Sequence, residues 1–154
     1  MPRHQKLHLE RFLPYRLSVL SNTVSSAIAA AYFANFGLSI PEWRVMAILA
    51  ANPGLSAAEV TARTAMDKVA VSRAVATLLA AGRLRRTTVA ADRRRTHLAL
   101  TPAGESVYSR VVPMALEYER RLVAPLSRRD RATLDRILRE LLGRAVELGP
   151  AHAD

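Results

Sequence analysis

Two short stretches decide the fold: DKVAVSR at residues 67–73 and ADRRR at residues 91–95. They lie in a longer segment, Ser56 to Thr101, whose pattern predicts a short helix, a turn, a second helix and then two strands. The first stretch begins the second helix, and the second stretch makes the turn between the strands. The segment therefore predicts a helix-turn-helix followed by a β-hairpin.

The two helices of this segment have distinct start and stop signals. Ser56 and Glu59 have the spacing of a capping box, in which each side chain accepts a hydrogen bond from the backbone N–H of the other residue. Asp67 is the expected N-cap of the second helix, and Gly82 is expected to end it. These signals predict where the second helix presents its first turn.

The second helix is predicted to have a buried side and an exposed side. At about 100° per residue, the buried stripe consists of Val71, Ala74, Val75 and Leu78. The exposed residues near the helix N-terminus are Lys68, Val69, Ser72 and Arg73. The N-terminal residues of a helix in the major groove approach the base edges, where arginine pairs with guanine and an apolar group contacts the thymine methyl. The alternative is that these residues are ordinary solvated surface.

The predicted hairpin, with strands at Leu84–Val89 and Thr96–Leu100, concentrates positive charge. Its turn contains Arg93, Arg94 and Arg95, and its first strand is accompanied by Arg83, Arg85 and Arg86. Neighbouring guanidinium groups repel one another, and insertion into the minor groove of DNA is one way to neutralise them. Asp92 is expected to orient one of the turn arginines. A solvated basic loop is the alternative, but the helix and the hairpin together favour DNA binding.

The composition favours a soluble protein with a polyanionic partner. A chain of 154 residues is long enough for one domain with a core, and with only 5% aromatic residues this core must be aliphatic. The formal charge of +10 indicates nucleic acid or an anionic membrane surface as partner, and a solvated basic surface without a partner is the alternative. The N-terminus leads into no signal-peptide-like run, and the least polar stretch, Val24–Phe36, is too short to span a bilayer. We therefore expect a cytoplasmic protein without membrane association.

Helical segments bracket the central unit. The first is predicted from about Arg11 to Phe36 and a second from Ser39 to about Ala51, and after Thr101 a helix extends toward Val123. The last helix begins near Ser127. Its apolar stripe consists of Leu134, Ile137, Leu138, Leu141 and Leu142. The element order is α-α-α-α-β-β-α-α, and the stripe is predicted to pack on a second copy of the chain, with the first helix of the same chain as the alternative.

Nothing in the sequence predicts an enzyme, a metal site or a cofactor. The four histidines are scattered and lack the spacing of metal ligands. There is no glycine-rich phosphate loop and no pairing of a nucleophile with a base. The absence of cysteine excludes thiol catalysis, thiol redox sensing and disulfide bonds.

Four stretches resemble the signature of the MarR family of transcription regulators: DKVAVSRAV at 67–75, LAAGRL at 79–84, DRR at 92–94 and LALTPAG at 98–104. The chain from about Arg11 to Glu147 also matches the family in length and element order. The resemblance implies a single domain over residues 1–154, a mainly α fold with a small β-wing. It implies a homodimer formed by the helices of residues 11–37 and 102–147, and a winged-helix lobe over residues 39–101 with its wing at 84–100. Asp92 and Arg94 match the Asp-x-Arg pattern of the family's wing.

The resemblance also implies a function. The family's members bind double-stranded DNA at pseudo-palindromic operators, and many are repressors released by a small organic anion or a phenolic ligand. Candidate residues for such a pocket are Tyr15, Arg16, Trp43 and Arg44, because arginine pairs with carboxylates and aromatic rings form pocket walls. The alternative for these residues is a place in the core. The alternative function is a winged-helix interaction module that docks an acidic protein partner.

Overall fold

The computed structural model describes residues 6–89 and 92–150, and the side chains of Val89 and of residues 92–95 lie outside this description. A single 3-10 turn, Leu9–Arg11, precedes the helices and strands. These are α1 (Leu13–Phe36), α2 (Ile40–Ala51), α3 (Ala57–Arg63), α4 (Lys68–Ala80), β1 (Leu84–Val89), β2 (Asp92–Leu100), α5 (Pro102–Leu122) and α6 (Arg128–Leu148). The predicted fold class, mainly α with a two-stranded hairpin in this element order, is confirmed.

The chain divides into two compact units, Met1–Met114 and Ala115–Asp154, and α5 crosses the boundary. The core of the first unit is aliphatic with one tyrosine, as the composition predicted. Its most deeply buried side chains are Tyr32, Leu38, Val45, Met46, Leu49, Val60, Val71, Leu78, Leu98 and Val111. In this unit α4 packs on α2 and α3, and the base of the hairpin packs on α2, α3 and α4.

The predicted helix starts of the first unit are confirmed. The backbone N–H of Ser56 donates to Glu59 Oε2 at 2.8 Å, and the Glu59 N–H donates to Ser56 Oγ at 3.2 Å. Hydrogen bonds from the Ser56 backbone and hydroxyl lower the pKa of the Glu59 carboxyl. Ser39 and Glu42 form the same reciprocal box at α2. Asp67 accepts from the Ala70 N–H at 2.8 Å and caps α4.

The two strands form an antiparallel hairpin that begins with Leu84 opposite Leu100. The prediction that residues 92–95 form the turn was wrong, because the pairing continues past Thr96 and brings Asp92 opposite Val89 after an irregularity. Residues 90 and 91, which lie outside the described part of the chain, connect the strands.

The base of the hairpin is tied to the loop before α3. The Leu98 N–H donates to the Leu55 carbonyl at 2.8 Å, and the Gly54 N–H donates to the Leu98 carbonyl at 3.0 Å. The His97 ring nitrogen Nδ1 forms a hydrogen bond with the Gly54 carbonyl. These contacts fix the end of β2 to the loop before α3 through two backbone hydrogen bonds and one from the His97 ring.

The first helix corrects one sequence expectation. We expected the least polar stretch to be too short for a bilayer, but α1 has 24 residues and, by length and composition alone, is apolar enough to cross one. Only 6% of the most apolar 18-residue stretch of α1 is buried. A helix that packs against other helices satisfies the same criteria, and α1 also carries serine, threonine and asparagine side chains.

The last helix is amphipathic, as predicted. The stripe of Leu134, Ile137, Leu138, Leu141 and Leu142 is exposed, and α6 has no buried residue. Ion pairs between neighbouring turns lie on the polar part of its surface, including Arg136 with Glu140 and Arg139 with Asp135. Exposed pairs of this kind contribute little to stability. The exposed apolar stripe is therefore the part of α6 that we expect to pack against a partner.

Candidate nucleic-acid interface

Helix α4 divides its residues as the sequence predicted. Val71, Ala74, Val75 and Leu78 are buried, and Lys68, Val69, Ser72 and Arg73 are exposed. Val69 is 59% exposed although it is apolar. The N-cap hydrogen bond of Asp67 orders the first turn of α4, a contribution of about 1 kcal/mol in typical helices. The exposed set therefore stands on a well-anchored helix end.

The structure brings only part of this set into one groove. A groove of about 240 Å³ between α3 and α4 is lined by Ala57, Ala58, Thr61, Lys68 and Ser72. Its walls are small side chains with one ammonium group and two hydroxyls, and such groups bind phosphate oxygens. Arg73 lies one helical turn from Val69 on the exposed side and is not among the lining residues.

The charges of residues 39–101 are strongly unbalanced. This segment contains ten of the 23 Lys and Arg residues and only four of the 13 acidic residues. Three of those acids, Glu42, Glu59 and Asp67, hold helix N-termini. Between described residues, every ion pair lies within residues 117–147. Three of the four acids of the segment thus serve as helix caps, and Lys68, Arg73, Arg85 and Arg86 are all exposed.

The arginines of the hairpin do not all have the same surroundings. The side chains of Arg93, Arg94 and Arg95, and that of Asp92, lie outside the described residues, so their predicted roles stay predictions. Arg83 was counted with the basic residues of the hairpin, and this was wrong. Its guanidinium is half-buried and donates to the Phe36 carbonyl at 2.7 Å.

The four ligand candidates fall into two pockets rather than one. Tyr15 and Arg16 line a shallow pocket of about 390 Å³ on α1. Trp43 and Arg44 line another of about 290 Å³, beside the turn between α3 and α4. Arg63, which the sequence did not single out, lines the second pocket and donates to Asn52 Oδ1 at 2.8 Å.

Trp43 is both a pocket wall and a packing residue. Its ring lies 5.5 Å from that of Tyr108 in a stacked arrangement, and 5.5 Å from that of Tyr32 in a tilted one. Tyr32 is buried, and the burial raises the pKa of its phenol. The alternative of a place in the core therefore holds for the part of Trp43 that contacts Tyr32 and Tyr108.

A family model described as MarR family matches residues 36–95, which include the helix-turn-helix and most of the hairpin. The winged-helix segment of the chain, residues 36–95, is therefore similar to the MarR family. A MarR-family regulator from Silicibacter pomeroyi is 26% identical, with a TM-score of 0.77 over 97% of this chain and 100% of that one. A MarR/EmrR-family regulator from Acinetobacter sp. ADP1 is 24% identical, with a TM-score of 0.86 over 93% and 100%. No curated protein matches the chain.

The MarR fold of this chain is also that of a structure with bound nucleic acid. The crystal structure of Streptococcus pneumoniae FabT in complex with DNA is 18% identical, with a TM-score of 0.74, and covers 89% of this chain and 97% of FabT. The predicted winged helix-turn-helix is thus confirmed, and the chain has the fold of a DNA-binding transcription regulator.

Proposed function

We propose that this protein is a MarR-family repressor that acts in the cytoplasm as a homodimer on a pseudo-palindromic DNA operator. One observation carries the proposal: three of the four acids of the winged helix cap helices, while Lys68, Arg73, Arg85 and Arg86 lie exposed around α4 and β1. A surface of this kind attracts a polyanion. The DNA bound to FabT, which has the same fold, supports the choice of DNA as this polyanion.

The proposal assigns different tasks to the exposed residues. Arg73 and Val69 contact base edges in the major groove, and Lys68 and Ser72 bind the phosphate that enters the groove between α3 and α4. The wing residues Arg93, Arg94 and Arg95 enter the minor groove, with Asp92 orienting one of them. The base contacts select the sequence, and the phosphate contacts hold the register.

The proposal is tested by the salt dependence of operator binding. Duplexes selected from random DNA should bind with an affinity that falls by about 10³-fold or more between 50 and 200 mM salt, because several counterions are released. Arg73→Ala should lower the affinity for the selected duplex by about 10–100-fold and weaken the sequence preference at one base pair. Fluorescence anisotropy on the selected duplex and its point variants measures both.

The control for Arg73→Ala is Arg121→Ala, which removes the same charge from an exposed position outside the winged helix. It should leave affinity and preference unchanged. Affinity that does not vary with salt, together with a stable complex with an acidic protein, would instead favour the interaction-module alternative.

The dimer is proposed from exposed apolar surface. Apolar residues are exposed on both terminal helices, each within its own unit: Leu13, Leu17, Val19, Leu20 and Phe33 on α1, and the stripe of α6. A second copy that covers both supplies two α4 helices, which reach successive major grooves about 34 Å apart on one face of the duplex. The helices of residues 11–37 and 102–147 then dimerise, and residues 39–101 form the DNA-binding lobe with its wing at 84–100.

Release by a small organic ligand completes the proposal, and the structure offers two pockets for it. An aromatic carboxylate has the groups to pair with an arginine and to stack on an aromatic ring, as Arg16 with Tyr15 or Arg44 with Trp43 provide. By binding one arrangement of the dimer better than another, such a ligand shifts the population away from the DNA-binding form.

A pair of substitutions identifies the pocket. Benzoate and larger aromatic carboxylates should lower operator affinity, and either Arg16→Ala or Arg44→Ala should weaken ligand binding by about 10–100-fold, the value of a hydrogen bond to a charged group. Calorimetry with each variant measures this, with the other variant as control. Unaltered ligand affinity in both variants would exclude both pockets as carboxylate sites.

A further inference from the structure

Arg83 differs from the neighbouring arginines in the direction of its side chain. Its Nη2 donates to the carbonyl oxygen of Phe36 at 2.7 Å, across 47 positions of sequence. Phe36 is the last residue of α1, and the terminal carbonyls of a helix lack partners within it and carry partial negative charge. The guanidinium of Arg83 therefore holds the end of α1.

The backbone of Arg83 holds two further elements. Its N–H donates to the Leu78 carbonyl of α4 at 2.9 Å, and its own carbonyl accepts from the Thr101 N–H at 3.1 Å, directly before α5. The Thr101 hydroxyl donates to the Gly82 carbonyl at 2.6 Å. One residue thus connects the end of α1, the end of α4 and the start of α5 at the point where β1 begins.

Phe36 is also held from a second side. The guanidinium carbon of Arg110, in α5, lies 5.2 Å from the centre of the Phe36 ring, which is the geometry of a cation–π contact. Beyond Phe36 the chain passes through Gly37, at φ 59°, and reaches α2 within three residues. A glycine in this link leaves the direction of α1 to be set by contacts such as those of Arg83 and Arg110.

We propose that Arg83 is a positioning residue that sets the direction of α1 relative to α4 and thereby the distance between the two α4 helices of a dimer. This inference rests on the proposed function, in which α1 dimerises and α4 enters the major groove. The charge of Arg83 is committed to Phe36, so Arg83 contributes to operator choice through geometry and not through a contact with DNA. The neighbouring Arg85 is exposed, and its guanidinium contributes through a contact with DNA and not through geometry.

The matched variants Arg83→Gln and Arg85→Gln separate the two roles, because each removes one positive charge near the start of the hairpin. They are measured on duplexes whose half-site spacing changes by one base pair at a time. In Arg83→Gln the dependence of operator affinity on salt should equal that of the wild type. Its affinity at the preferred half-site spacing should fall by about 10-fold, and the difference in affinity between spacings should become smaller. Arg85→Gln should lose affinity equally at all spacings, with a slope lower by about one.

The inference would be overturned if, in Arg83→Gln, the slope of log affinity against log salt concentration fell by about one while the preference for half-site spacing stayed unchanged. A DNA-independent measurement separates this outcome from failure of the proposed function. Since the chain has no cysteine, spin labels can be attached at Ser26→Cys on α1 and Thr88→Cys on β1, with labelled chains diluted in unlabelled ones. The distance distribution should broaden in Arg83→Gln and not in Arg85→Gln.

An unchanged distribution would overturn the positioning role even if the wild type binds no duplex, and absence of duplex binding alone would count only against the proposed function. If Arg83→Gln does not fold, Arg110→Gln, which removes only the contact with the Phe36 ring, replaces it. The same broadening is expected there, and a distribution equal to that of the wild type would again overturn the inference.

Discussion

Replacing Gly104 with alanine is expected to lower the midpoint of thermal unfolding by about 10 °C. A Cβ atom at this position would overlap the carbonyl oxygen of Arg83 and lie 3.0 Å from its carbonyl carbon. Both atoms belong to the backbone, so no side chain can turn aside to make room. Overpacking of this kind typically costs about 3 kcal/mol, and a domain of this size loses about 2–4 °C per kcal/mol.

The strain cannot be relieved by moving α5 alone. The Gly104 N–H donates to the Thr101 hydroxyl at 3.0 Å, and the Thr101 N–H donates to the same Arg83 carbonyl that the new methyl group would meet. Any shift of the first turn of α5 away from β1 therefore stretches the hydrogen bond that begins the helix. We expect operator binding to weaken as well, since the base of the hairpin is displaced.

Gly143→Ala is the matched control. Gly143 lies within α6, and a Cβ atom there has nothing within 4 Å. Alanine in a helix interior is favoured over glycine by about 0.5–1 kcal/mol, so this variant should unfold at a slightly higher temperature than the wild type. Differential scanning calorimetry compares the two. Equal midpoints for Gly104→Ala and the wild type would show that α5 and β1 can separate without cost.

Gly104 also marks a limit of what the sequence can predict. Its place in LALTPAG supported a family resemblance and a helix start, and the start is confirmed by the Thr101 cap. The reason for a glycine is the backbone of a residue 21 positions earlier. A cap is a contact between residues three apart and can be predicted from spacing, whereas a close approach of two backbones depends on the folded arrangement.

The arginines also differ in how far the sequence predicts their contacts. The exposed side of α4 was predicted correctly because helical periodicity decides which residues face the core. Arg83 was assigned with Arg85 and Arg86 because charge and proximity in sequence were the only signals available. Its partner is a carbonyl oxygen, a group that every residue carries, so no residue type in the sequence indicated it. The extent of β2 was predicted wrongly for a related reason. The arginine-rich sequence suggested a turn, but pairing with β1 continues as far as Asp92 opposite Val89.

Placing an aspartate in the apolar stripe of α6, as Leu138→Asp, is expected to abolish the dimer and to lower operator affinity by about 10²–10⁴-fold. Leu138 is 49% exposed in the single chain, so the change costs little within the chain itself. In a dimer that covers the stripe, the carboxylate loses its water without gaining a partner, which costs several kcal/mol. A monomer binds one half-site and loses the advantage of a linked second contact.

Gly143→Asp supplies the control for this variant, because it introduces the same side chain on α6 five residues further on. At about 100° per residue the two positions lie roughly 140° apart around the helix, and Gly143 is outside the apolar stripe. Sedimentation velocity should find Gly143→Asp dimeric with the operator affinity of the wild type, and Leu138→Asp monomeric. If Leu138→Asp stays dimeric and binds the operator normally, the stripe of α6 is not the dimer interface. The exposed apolar residues of α1 would then have to hold the two copies together, because an operator with two half-sites needs the two α4 helices held at a fixed distance.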